Sequence, residues 1–157
     1  MQLVPSEFFV TSASAFSKIS DLNAFDKALI KMGISEQNLV AVSSVIPIGA
    51  KEVSIKELPM GAVTHCVLAQ IRGKEGDLIS AGIAYAFRKD GKGGYVAEGR
   101  THGSKASLQE LLRHKMEEIA ECRGVELNNI TCLVEELTVP KGNYGACVSS
   151  LVFTMYQ

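Results

Sequence analysis

The sequence predicts an α+β fold: a layered α/β/β/α sandwich of mostly antiparallel sheets and two main helices. Three observations carry this expectation. Two segments place apolar residues at spacings of three and four and end at a glycine. About seven other segments are short β-branched or aromatic runs between turn residues. Their order is β-α-β, then three strands, then α-β-β, with no repeat, linker or low-complexity stretch. Amphipathic helices and half-buried sheets must cover one another, which gives the layers.

Phe8-Phe9-Val10-Thr11 is the first expected strand. The small, polar residues 12–20 read as a loop. A helix follows with Asp21 as its N-cap. Leu22, Phe25, Leu29 and Met32 form its apolar stripe, and Gly33 closes it. Asp26 lies at the edge of that stripe, where a helix carboxylate is ordinarily solvated. Residues 39–46 read as one strand headed for the interior. Pro47, Gly49 and the charged residues 51–57 connect it to a long apolar run, residues 61–71, expected as a central strand. Residues 79–87 form the next strand. Asp90-Gly91-Lys92-Gly93-Gly94 turns it into residues 95–99 as a hairpin. This glycine-rich turn leads into a strand and lacks the spacing of a phosphate loop. Ser104 caps the second helix, whose Leu108, Leu111, Leu112, Met116, Ile119 and Ala120 face the core until Gly124. Strands at residues 130–139 and 146–156 finish the chain.

The 157 residues suit a single domain, 1–157, with a sizeable core. A hydrophobic fraction of 46% and a net charge of −1 suit a soluble protein and argue against nucleic-acid binding. The apolar runs are too short to span a bilayer. The first residues lack the basic start and apolar centre of an export signal, so a cytoplasmic location is expected. Cys66, Cys122, Cys132 and Cys147 form no C-x-x-C pair, and free buried thiols are expected rather than disulfides or zinc. His65, His102 and His114 show no metal spacing, so no metal site is expected. His65 reads as a hydrogen-bonded core residue, and His102 as the histidine nearest a site around Glu98.

Ser43-Ser44 stands out in the run Val40-Ala41-Val42-Ser43-Ser44-Val45-Ile46. A buried hydroxyl without a partner costs about 1–3 kcal/mol, so the pair needs hydrogen bonds or a chemical purpose. On residue types alone it is a strand end with hydroxyls bonded to backbone.

The surrounding segments resemble the pyruvoyl-dependent arginine decarboxylase family. The resemblance rests on Leu22-Asn23-Ala24-Phe25-Asp26-x-Ala28-Leu29, Gly33-Ile34, Asn38-Leu39, Ser43-Ser44-x-x-Pro47 and Leu58-Pro59-Met60-Gly61-Ala62, in that order. Glu98, Arg123-Gly124, Glu126-Leu127 and Gly145-Ala146-Cys147 extend it over nearly the whole chain.

The resemblance implies a proenzyme that cuts itself between Ser43 and Ser44, into a beta chain 1–43 and an alpha chain 44–157. The Ser44 hydroxyl would attack the Ser43 carbonyl and convert amide to ester. β-Elimination would then leave dehydroalanine at position 44, which hydrolyses to a covalent pyruvoyl group. That group stands in for pyridoxal phosphate, forming a Schiff base with the substrate amine. Arginine would lose carbon dioxide and become agmatine. Glu98 matches the carboxyl that protonates the α-carbon, and its apolar neighbours Val96 and Ala97 are expected to desolvate it and raise its pKa. Asn38 matches a residue supporting the processing step. Asp26 matches the carboxylate that grips the guanidinium through two parallel N–H bonds, with Leu22 lining the substrate pocket.

The same resemblance implies a homotrimer with active sites between subunits, a small amino-acid substrate, and neither nucleic acid nor membrane as partner. Ser35 stands where the family often has glycine, and Gln37 where an apolar residue is common. Two alternatives stay open: the same chemistry on another amino acid such as histidine, and an uncleaved, non-enzymatic trimeric paralogue.

Overall fold

The computed structural model describes residues 1–157. A five-stranded sheet has the order β2 (Asn38–Ala41), β5 (Val63–Lys74), β9 (Tyr144–Tyr156), β1 (Pro5–Ser17) and β4 (Lys51–Glu52). A four-stranded sheet has the order β3 (Val45–Ile46), β7 (Gly94–Thr101), β6 (Leu78–Phe87) and β8 (Thr131–Thr138). The sheets pack face to face. Helix α1 (Asp21–Met32) covers the first and α2 (Lys105–Arg123) covers the second. Only the β2–β5 and β1–β4 ladders are parallel. The layered α/β/β/α order expected from the sequence is borne out.

Each layer boundary has its own core. Phe8, Ile79, Ile83 and Leu151 fill the space between the sheets, with Phe8 edge to face against Tyr85 and Phe153 and tilted against Phe87. Ala28 and Met32 of α1 meet Phe9, Val148 and Val152 of the first sheet. Leu108, Leu112 and Met116 of α2 meet Ala84, Ala97 and Val134. Strand β9 reads as an unbroken apolar run because both of its faces are covered.

Several boundaries differ from expectation for identifiable reasons. Residues 12–17 are strand, not loop. Thr11, Ala13, Ala15 and Ser17 are buried at alternate positions, and β1 pairs with β9 along its whole length. Small side chains there let α1 sit close: Thr11 donates to the Met32 carbonyl at 3.1 Å and Lys31 to the Ser14 carbonyl at 2.9 Å. Their polarity hides a period of two. The N-cap of α1 is Ser20, whose Oγ accepts from the Asn23 N–H at 3.0 Å. Asp21 sits in the first turn, where its charge favours the helix dipole. Leu22 is 61% exposed, because α1 buries Ala24, Ala28, Leu29 and Met32 instead. Leu111 is likewise exposed. Within the connection at residues 51–57, β4 forms a short parallel pairing with β1. Gln37 donates to the Leu58 carbonyl at 3.0 Å, a bond an apolar residue there could not make.

The thiols also divide. Cys66 and Cys147 are buried and Cys132 is half-buried, but Cys122 is exposed on the outer face of α2, against expectation. Burial pushes the Cys66 and Cys132 thiols up, and that of Cys147 to about 12. Since the thiolate is the nucleophile, buried thiols react slowly. Native protein at mildly alkaline pH is expected to show one fast thiol toward a disulfide reagent, and denatured protein all four. Cys122→Ser should remove the fast phase; a fast phase that survives it would contradict the assignment.

Candidate active site

Residues 39–46 are two strands in different sheets, not one. β2 runs parallel to β5, from Asn38 opposite Val63 to Ala41 opposite Cys66. β3 runs antiparallel to β7, with Val45 opposite Tyr95 and Ile46 opposite Gly94. Val42, Ser43 and Ser44 carry the chain across from one sheet to the other. The split follows from where the apolar side chains go. Leu39 packs toward the α1 core and Ile46 enters the core between the sheets, while Val40, Val42 and Val45 stay exposed.

The crossover is anchored at both ends. The Val42 N–H donates to the Cys66 carbonyl at 2.9 Å, and the Val96 N–H donates to the Ser44 carbonyl at 2.9 Å. The Ser43–Ser44 peptide between them makes no backbone hydrogen bond. Ser43 is exposed and Ser44 half-buried, which corrects the interior position expected for the pair. A peptide outside any ladder leaves its carbonyl open to attack.

Two cavities are lined by the pair. One sets Ser43 and Ser44 beside Val96, Glu98, Lys115 and Glu118. Glu98 lies two residues beyond the core residue Val96 and so on the same face of β7. Strand β3 pairs only with Gly94 and Tyr95, so β7 is an edge of its sheet by the time it reaches Glu98. Glu98 is therefore exposed in the protomer, contrary to the desolvation expected from its neighbours in sequence. Gly99 explains why α2 comes so close here. A Cβ on it would stand 3.0 Å from Leu108 and 3.3 Å from Leu112. The close approach lets Lys115 donate to the Glu98 carbonyl at 2.8 Å, placing a cation at the rim.

The second cavity sets the pair beside Val42, Val45, His65, Phe153 and Tyr156. His65 Nδ1 and the Tyr156 hydroxyl are hydrogen-bonded. Sequence reading missed this pair, because 91 residues separate its members. The antiparallel β5–β9 ladder and the parallel β2–β5 ladder bring both to the crossover. His102 lines a different cleft, with Arg72 and Arg100.

The protomer does not gather the remaining candidates. Asp26 and Leu22 are exposed on α1, against the other sheet, and line neither cavity. Asn38 begins β2, where its Nδ2 donates to the Gly61 carbonyl at 2.9 Å and its N–H to the Ala62 carbonyl at 2.9 Å.

The signature described as pyruvoyl-dependent arginine decarboxylase (PvlArgDC) matches residues 7–157. A relative of that name from Pyrococcus abyssi is 35% identical over 147 residues, covering 92% of each chain. Another from Thermococcus kodakarensis is 34% identical over 154 residues, covering 97% of each. A third from Methanothermobacter thermautotrophicus is 33% identical over 150 residues, covering 92% of this chain and 93% of its own. With the match running through both helices and all but the first residues of the sandwich, the chain belongs to the pyruvoyl-dependent arginine decarboxylase family.

Proposed function

We propose that the chain cleaves itself between Ser43 and Ser44 and then converts L-arginine to agmatine and carbon dioxide. The observation that carries this reading is the crossover: a serine peptide outside any backbone ladder, in one cavity with a strand carboxylate. The pyruvoyl group implied by the family's name has to come from a residue with a β-hydroxyl and an accessible preceding carbonyl. Ser44 fits both needs. Once formed, that group supplies an electron sink for the charge left by decarboxylation.

Each residue then has a task. The Ser44 Oγ attacks the Ser43 carbonyl, and Ser43 leaves as a new carboxyl terminus. Asn38 fixes the start of β2 and so the approach of the chain to the crossover. Glu98 holds a proton on its carboxyl for the substrate α-carbon. The two pieces stay together after cleavage, because β1 of residues 1–43 is laddered to β9 of residues 44–157.

Asp26 grips the guanidinium from a neighbouring subunit of a homotrimer. Support comes from apolar side chains left in the open: Leu22 and Ile30 on α1, and Val40, Val42 and Val45 around the serine pair. Exposed apolar groups clustered like this mark contact surfaces.

The test follows carbon dioxide from carboxyl-labelled arginine, with agmatine as co-product and histidine as competitor substrate. Arginine should be the better substrate. Asp26→Ala is expected to raise KM for arginine about 10–100-fold, the worth of a charged hydrogen-bond pair, while leaving cleavage intact. Unchanged arginine kinetics in Asp26→Ala would remove it as the guanidinium contact. Faster turnover of histidine would overturn the substrate.

A further inference from the structure

We propose that His65, held by Tyr156, is the proton carrier of the self-cleavage: it takes the proton of Ser44 Oγ and returns it to the Ser44 nitrogen. The proposal rests on the self-cleavage reading above and assigns a role to a cavity that the decarboxylation step does not use.

The fold delivers the histidine to the crossover. Val40 lies opposite His65 in the β2–β5 ladder, and the Val42 N–H bonds to the Cys66 carbonyl. The chain therefore leaves β5 next to His65 and enters Ser43–Ser44. His65 Nδ1 is bonded to the Tyr156 hydroxyl, with the rings edge to face at 5.7 Å. Both rings are half-buried and share one cavity with the serine pair, walled by Val42, Val45 and Phe153. Nδ1 is thus occupied, and Nε2 is the ring nitrogen left for proton transfer. Burial holds the Tyr156 phenol above its ordinary range, so Tyr156 serves as a neutral partner that fixes the ring.

The chemistry asks for such a group. In the acyl shift, the Oγ–carbonyl bond forms, the Ser43–Ser44 C–N bond breaks, and the Oγ proton moves to nitrogen. One group must accept and then donate the same proton. Imidazole suits this near neutral pH. The later elimination moves the Ser44 α-proton to a base while the Cβ–Oγ bond breaks, releasing the Ser43 carboxylate. Water then replaces the nitrogen, which leaves as ammonia.

The other titratable groups at the pair are Glu98, Lys115 and Glu118, all in the cavity that His65 does not line. Cys66, on the facing stretch of β5, belongs to the core under α1, and burial holds its thiol protonated.

The test is a pulse-chase of the full chain made by cell-free translation, chased from about pH 5.5 to 9 across the imidazole range. Wild-type cleavage should accelerate through one ionisation near neutrality. His65→Gln should cleave at least about tenfold more slowly, within the usual range for a lost acid–base group, and lose that acceleration. Added imidazole should speed His65→Gly in proportion to its concentration. Tyr156→Phe should shift the pH profile. Wild-type rate and profile in His65→Gln would overturn the proposal, as would slow cleavage that keeps the neutral-pH step and ignores imidazole. If His65→Gln and His65→Gly do not fold, an unchanged profile in Tyr156→Phe overturns it. A wild-type chain that never cleaves, or Ser44→Ala that does, would instead defeat the self-cleavage reading.

Discussion

Ser44→Ala is expected to leave a single uncut chain of 157 residues with no decarboxylase activity. The substitution removes the one oxygen that both attacks the Ser43 carbonyl and later departs from the β-carbon. No neighbour can supply that atom, so the loss should be complete rather than partial. The fold should survive, because the Ser44 carbonyl, not its side chain, holds the crossover to Val96. Ser43→Ala is the informative contrast. Ser43 contributes a backbone carbonyl, which alanine keeps, so cleavage should persist. A denaturing gel and an arginine assay read both variants. Cleaved Ser44→Ala, or uncut Ser43→Ala, would show that the two serines do not divide the work in this way.

Glu98→Gln separates maturation from turnover. The variant should still be cut, since the nucleophile and its carbonyl are untouched. Its kcat should fall about 10²–10⁴-fold, the usual worth of a positioned general acid. KM should change little, because the proton is needed only as the α-carbon is rebuilt. Unimpaired turnover would return Glu98 to an ordinary role on an exposed strand edge.

Much of this architecture is legible in the sequence. Gly33 and Gly124 end the two helices with positive φ, as C-cap glycines do. The Asp90–Gly94 turn joins its two strands as an antiparallel hairpin. Other features are hidden because local composition misleads. Ser12, Ala13, Ser14 and Ala15 look like a loop, yet they alternate along a strand whose small Ala13 and Ala15 pack under the helix while Ser12 faces Glu135 of the other sheet. Leu22 joins the apolar stripe by spacing alone, but the sheet is reached by the alanines beside it.

The site is harder to read than the fold. Ser43, Ser44 and Glu98 are carried by a resemblance and do meet in one cavity. Their exposure could not be foreseen, because it depends on where β3 stops along β7. His65 and Tyr156 carry no motif, and only the ladders from β2 through β5 to β9 bring them to the serine pair. Asp26 remains on a separate face of the protomer. No pattern within one chain reveals the second copy that the proposed guanidinium contact requires.

The central claim is that the Ser43–Ser44 bond is broken and that residue 44 becomes the reacting group. Intact-mass measurement of the active protein under denaturing conditions tests it most directly. The expected result is two chains, residues 1–43 with an ordinary carboxyl terminus and residues 44–157 with a blocked terminus. The second should be lighter by one ammonia than a chain beginning with serine. A single uncut chain in a preparation that decarboxylates arginine would contradict the account.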